Sequence, residues 1–207
     1  MLITLSDYQR IYSIAHAVLK SENSDTNRSC LFYNYCGAYI LNNHYKIKAK
    51  VYSGFAAYHL GVENILGFGS IEDGTLKSSE DEFHSWIEAD GWLIDFMAPE
   101  FPNIMLSKGY DSPIPRKMMQ SRLINMADGP DNLKESGNFL VIPDMEVTKS
   151  LADHLESRPA FVDLVDICNR WFHKKPNKMH KSISISNGEG QLNQVSLSGI
   201  KSIVGRW

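Results

Sequence analysis

Residues 83–95 read Phe-His-Ser-Trp-Ile-Glu-Ala-Asp-Gly-Trp-Leu-Ile-Asp. Aromatic and β-branched residues flank Asp90-Gly91, a pair suited to a two-residue turn in which both central positions take positive φ. The stretch therefore predicts an antiparallel hairpin with strands over 82–89 and 92–97. In that register Ala89 faces Trp92, Glu88 faces Leu93, Trp86 faces Asp95 and His84 faces Met97. Side chains alternate between the two faces of a strand, so His84, Trp86 and Asp95 share one side. Phe83, Ile87, Trp92, Ile94 and Phe96 occupy the other and are expected in a core. His84 and Asp95 become diagonal neighbours at roughly 7–8 Å between Cα atoms, a separation that an imidazole and a carboxylate can bridge.

An oriented His–Asp pair is two-thirds of a nucleophilic device. The carboxylate fixes the ring tautomer and stabilises the imidazolium, and the second ring nitrogen is left to hold a thiolate. The nucleophile candidate is Cys30, where the polar linker 21–29 meets an apolar segment over 30–42. Leu31, Phe32, Tyr33, Tyr35, Ala38 and Ile40 leave that helix almost no polar face, which marks it as buried. Asn27 and Ser29 are its cap candidates. A thiol at a helix N-terminus can fall from about 8.5 towards roughly 3.5–7.5 in pKa, and its own N–H is an oxyanion donor. Cys36 lies six residues on, away from the helix start, and Cys168 sits on an apolar helical face as a small core residue. A buried structural thiol is the alternative reading for Cys30.

Around this centre the period of the chain changes several times. Residues 6–20 form an amphipathic helix with Ser6 as its expected N-cap. Ile47, Ala49 and Val51 alternate with lysines, predicting a half-buried strand from Lys46 towards Tyr58. A short apolar run, 65–71, precedes an acidic loop over 72–81. Residues 98–138 carry five of the eight prolines and predict loops with one short helix over 116–126. A strand is expected at 139–142 and helices at 148–156 and 159–173, the second with Pro159 at its first position. The tail alternates Ile183 and Ile185 with serines and turns at Asn187-Gly188, as a small ribbon would. No repeat or linker divides the chain, so a single domain over 1–207 is expected.

Composition bounds the function. With 43% hydrophobic, 22% charged and 11% aromatic residues, the 207-residue chain has the content of a globular domain rather than a disordered one. The charge balance of 21 basic against 24 acidic residues offers no positive excess for nucleic acid. Lys174, Lys175, Lys178 and Lys181 read as a solvated helix end and loop. Three sparse cysteines, no basic leader and no long apolar run lead to the expectation of a cytoplasmic protein with no membrane span. Neither a dinucleotide fingerprint, a Walker loop, a serine-hydrolase elbow nor zinc-ligand spacing is present, so neither cofactor nor metal is expected. His16, His44, His59 and His154 are expected at the surface or at helix ends.

Phe83-His84-Ser85-Trp86-Ile87-Glu88, followed by Gly91-Trp92-Leu93-Ile94-Asp95, resembles the His-x-Trp and Gly-Trp…Asp hairpin of transglutaminase-like proteins. Upstream, Cys30 opens a helix that leads through Asn43 and a strand to Ser53-Gly54, which is similar to the same superfamily's nucleophile segment. The likeness spans about residues 25–100 in the order Cys, His, Asp, and extends broadly to papain-like peptidases, arylamine N-acetyltransferases and a bacterial family attached to that superfamily. It implies an α+β fold with a transglutaminase/papain-like core, in which a buried helix starting at the nucleophile packs on an antiparallel sheet. Residue by residue, it implies Cys30 as nucleophile, His84 as base and Asp95 as orienter. The chain departs from the pattern in its bulky Leu31-Phe32-Tyr33 run, in lacking an arginine-rich motif before the cysteine, and at Ser24, where papain-like peptidases carry glutamine. Asn27 is the remaining candidate for a second oxyanion donor. The expected activity is acyl transfer from a small-molecule or peptide amide or thioester; the alternative is a silent member of the fold that binds a peptide or protein.

Overall fold

The computed structural model describes residues 1–61, 64–111, 113–186 and 188–207. Helix α1 (Leu5–Ser21) is capped by Thr4, whose Oγ1 accepts from the Asp7 N–H at 3.1 Å. Ser6, the expected cap, lies inside the helix, because Thr4, two residues earlier, takes the extended backbone of a cap. A 3₁₀ turn, Thr26–Arg28, then leads into α2 (Cys30–Ile40). Ser29 precedes α2 without a side-chain capping bond; its hydroxyl donates instead to the Asp25 carbonyl at 2.7 Å.

A π turn over Leu41–Tyr45 extends α2 and ends at Lys46, which takes a left-handed φ of 60°. That corner, held by the Asn42 amide donating to the Ala49 carbonyl at 2.9 Å, delays the next strand. β1 accordingly runs Lys50–His59, not from Lys46. β2 (Ile65–Phe68) follows, then β3 (Ser70–Glu72) and β4 (Thr75–Lys77). The last two form a small hairpin through Asp73-Gly74, both with positive φ. The sequence predicted an acidic loop there.

β5 (His84–Ala89) and β6 (Trp92–Asp95) form the hairpin read from the sequence. Asp90 and Gly91 take φ of 49° and 75°, and the pairs Ala89–Trp92, Glu88–Leu93 and Ile87–Ile94 fix the expected register without a bulge. α3 (Phe101–Ser107) comes next, in a region expected to be loop. The helix predicted over 116–126 is absent: β7 (Met119–Arg122) pairs with β6, and only Leu123–Asn125 make a 3₁₀ turn. The strand is favoured because it completes the ladder of β6 while Gln120 accepts from the Leu2 and Ile3 N–H groups, both at 2.9 Å.

β8 (Phe139–Pro143) is the expected strand, and helices α4 (Met145–Glu156) and α5 (Pro159–Trp171) follow it. α4 starts earlier than its apolar pattern because Asp144 Oδ1 accepts from the N–H groups of Glu146 and Val147. β9 (Ser182–Ser186) and β10 (Leu192–Ser196) make the terminal ribbon; of its expected turn, Asn187 lies outside the described residues.

Among the described residues the result is a mixed α+β structure, a curled six-stranded antiparallel sheet with helices packed on it. β1 is its spine. β8 pairs with 54–58 of β1, overlapping β5 (on 50–54) and β2 (on 56–59). A strand has two edges, so β2 and β5 must share one of them, end to end, with Phe55 at the break. That break brings Phe68 at the end of β2 to His84 at the start of β5.

α1, α2 and α5 supply much of the core, and Cys36 of α2 meets Cys168 of α5 within it, both fully buried. Burial, with Cys168 beside it, pushes the Cys36 thiol well up. Phe83 and Trp92, expected in the core, are only half-buried. His59 is buried, not superficial, and its Nδ1 accepts from the Gly61 N–H at 3.2 Å.

Candidate functional site

Cys30, Asn34 and Gly37 lie at helical spacing on one face of α2 and meet the β5–β6 hairpin there. Gly37 permits the approach: a Cβ at this position would overlap the Phe96 ring and sit 3.1 Å from Ile87 Cδ1. Cys30, the first residue of the helix, is 7% exposed. Its N–H is among those that have no acceptor within a helix.

His84 opens β5 and Asp95 closes β6, so the hairpin register sets their distance. His84 Nε2 lies 2.6 Å from Asp95 Oδ2, with both side chains fully buried. The buried Nδ1 forms no hydrogen bond, and the Cys30 thiol flanks the ring. Burial alone would lower the proton affinity of His84. The Asp95 carboxylate, and after it the Cys30 thiol, outweigh that effect and raise its pKa to about 9. Aromatic rings hold the imidazole: Phe68 stacks on it at 4.2 Å between centroids, and Tyr58 meets it edge-on at 5.7 Å. The three residues singled out from the sequence are thus brought together.

Asp95 is held from several sides. Its Oδ1 accepts from the Met97 N–H at 2.9 Å and from Asn34 Nδ2 at 3.2 Å, and its carbonyl accepts from the Tyr8 hydroxyl. Asn34, fully buried, also donates to the carbonyls of Ser85 at 2.7 Å and Cys30 at 3.1 Å, and accepts from the Phe96 N–H at 3.0 Å. Sequence reading missed it. The available signal was an amide four residues after the cysteine in a helix otherwise almost free of polar side chains.

A second buried carboxylate supports the approach to Cys30. Glu100 accepts from the Tyr12 hydroxyl, from Asn103 Nδ2 at 2.7 Å and from Thr26 Oγ1 at 3.4 Å; His16 Nδ1 lies 3.1 Å away and Arg116 Nη1 3.4 Å away. Burial would raise its pKa, but His16, Tyr12 and Arg116 pull it down to about 2. His16, expected at the surface, therefore belongs to an internal network that ties the turn before Cys30 to the start of α3.

Cys30 and His84 open onto a cleft of about 470 Å³ whose lining includes Phe68, Phe83, Met97 and Ile104. Asn27 and Arg28 border it as well. A separate cavity of about 330 Å³ lies between α5 and β9, lined by Trp171, His173 and His180, and contains no part of the thiol–imidazole pair. Among the described residues, no cluster of three or more His, Cys, Asp or Glu side chains is arranged to hold a metal, and no helix is long and apolar enough to cross a membrane.

Fold and site together define an α+β protein with a cysteine at a helix start, beside a buried His–Asp pair. The chain belongs to the family described as "Protein of unknown function (DUF2026)", which matches residues 4–207. It is similar to a solved structure described as "The crystal structure of genomics APC5867", at 34% identity and a TM-score of 0.88, covering 100% of this chain and 98% of the other. No curated protein matches it.

Proposed function

We propose that this protein is a thiol-dependent acyl-transfer enzyme with a transglutaminase/papain-like core, in which Cys30 is the nucleophile, His84 the base and Asp95 the orienter. The observation that carries the reading is the 2.6 Å contact between His84 Nε2 and Asp95 Oδ2, fully buried, with the Cys30 thiol close enough to the imidazole to raise its proton affinity. His84 takes the proton of the Cys30 thiol, and the thiolate sulfur bonds to the carbonyl carbon of an amide or thioester. Collapse of the tetrahedral adduct breaks the bond to the amine or thiol, which leaves with the proton from His84. Water or an amine then attacks the thioester, returning a proton to His84 and freeing the thiol. The Cys30 N–H, at the start of a helix, would stabilise the oxyanion, and the presence of Asn27 on the same cleft supports it as a second donor. The cleft's size and mixed lining, apolar at Phe68, Phe83, Met97 and Ile104 and charged at Asp25, Arg28, Glu80, Asp81 and Lys108, suit a small molecule or a peptide side chain as acyl donor. Three free thiols support a reducing, cytoplasmic setting.

Iodoacetamide at neutral pH should modify Cys30 ahead of Cys36 and Cys168, both of which are 0% exposed. Exposure alone favours that order, so the deciding arm is His84→Ala, which should slow Cys30 alkylation about tenfold or more by removing the thiolate's counter-charge. A second reading, a binding module that keeps the fold without turnover, is favoured by how little of Cys30 and His84 reaches solvent. It requires Cys30 to react as an ordinary thiol with the same rate in the wild type and in His84→Ala.

A further inference from the structure

We infer that Asn34 is a positioning residue for the site, an amide that sets the Cys30 end of α2 against Asp95 and holds the Asp95 carboxylate with one oxygen committed to His84. The inference rests on the functional reading above and extends it to a residue that takes no part in bond making. Asn34 bonds to each of the three segments that carry the site. Its Nδ2 has two hydrogens for three acceptors, the Ser85 carbonyl next to His84 at 2.7 Å, the Cys30 carbonyl at 3.1 Å and Asp95 Oδ1 at 3.2 Å, so one hydrogen is shared between two of them. Its Oδ1 accepts from the N–H of Phe96, the residue after Asp95, at 3.0 Å.

A simple staple between helix and sheet would need only the backbone bonds. The contact with Asp95 Oδ1 does more. Together with the Met97 N–H at 2.9 Å, it occupies that oxygen with two donors and leaves Oδ2 for the imidazole. A fully buried carboxylate has no water to satisfy its oxygens, so the protein must supply the donors that fix its orientation. Asn34 therefore keeps Asp95 aimed, with Oδ2 on the imidazole, and that contact is what raises the proton affinity of His84 beside the thiol. The spacing has a simple cause. A residue four positions after the nucleophile returns to the same side of an α-helix one turn along it, where the end of β6 lies.

The test is the pH dependence of Cys30 alkylation in the full chain with iodoacetamide, alongside thermal unfolding. Asn34→Ala is expected to move the alkylation inflection upward by about one pH unit, equal to an approximately tenfold slower reaction at neutral pH. Ala38→Gly weakens the same helix without touching a polar partner, and should lower the unfolding midpoint while leaving the inflection in place. Should Asn34→Ala fail to fold, Asn34→Ser serves instead: its hydroxyl folds back on the Cys30 carbonyl and is too short for Asp95, so the same upward shift is expected. A wild-type profile unaffected by His84→Ala would overturn the acyl-transfer reading itself. A His84-dependent wild-type profile that coincides with that of the Asn34 variant would overturn this inference alone, reducing Asn34 to a staple.

Discussion

Asp95→Asn should slow alkylation of Cys30 at neutral pH by between about tenfold and a thousandfold, since an opposite charge at hydrogen-bond distance shifts a partner's pKa by roughly 1–3 units. The amide keeps the shape of the carboxylate but carries no charge. It can also rotate its NH₂ towards His84 and impose the wrong tautomer. The same substitution should alter stability against pH. The pKa of His84 in the folded protein is raised to about 9, above the value of about 6.5 for an unperturbed histidine. A raised value means that the folded state binds the proton more tightly. The corresponding stabilisation is fully present below about pH 6.5 and is lost as pH rises through about 9. It amounts to about 3–4 kcal/mol at most, from the rise from about 6.5 to about 9 at about 1.4 kcal/mol for each pH unit. Urea midpoints measured from pH 6 to 10 should fall across that window in the wild type and fall less in Asp95→Asn. Glu88→Gln is the matched control. Glu88 accepts from Trp86 Nε1 at 3.1 Å, nearer the turn, and its replacement should leave both profiles in place. An Asp95→Asn protein with the wild-type decline would mean that another group holds the His84 proton.

The hairpin was legible because two local signals agreed. Asp90-Gly91 fixed the turn, and residues of period two on both sides fixed which side chains face together, so the contact between His84 and Asp95 could be read before any tertiary structure. Asp73-Gly74 makes a turn of the same kind, yet its strands are three residues long with a single apolar residue each, Ile71 and Leu76, too short a pattern to separate them from a loop. Residues 116–126 misled for a different reason. Their helical propensity is overridden by the open edge of β6 and by Gln120, whose partners Leu2 and Ile3 are over a hundred positions away. The place of Cys30 at a helix start was local information. What surrounds the site was not. Phe68 reaches His84 only because β2 and β5 share one edge of β1. Asn34 and Glu100 owe their roles to partners that the fold alone brings near, and His16 is drawn inside by Glu100.

Gly37→Ala should destabilise the protein by about 2 kcal/mol, although alanine is the better helix former by about 1 kcal/mol at an open site. The sign reverses because the added methyl has nowhere to go: it falls on the Phe96 ring and close to Ile87 Cδ1. Phe96 is fully buried and stacks on Tyr8 with centroids 4.7 Å apart, so the ring cannot swing aside without disturbing α1. The other way out is for α2 to lift off the hairpin. Asn34 and Cys30 lie on the same face, one and two turns towards the helix start, and would move with it. Stability and Cys30 reactivity should therefore fall together, a coupling that a remote core defect would not produce. Phe96→Leu narrows the obstacle and should be costly alone, as large-to-small core changes are. Combined with Gly37→Ala, it should give a double-mutant coupling of about 1 kcal/mol or more in the direction of rescue and restore the alkylation rate. A Gly37→Ala protein more stable than the wild type, as helix propensity alone predicts, would show that α2 does not lean on the hairpin at this point, and the distance between Cys30 and His84 would then need another cause.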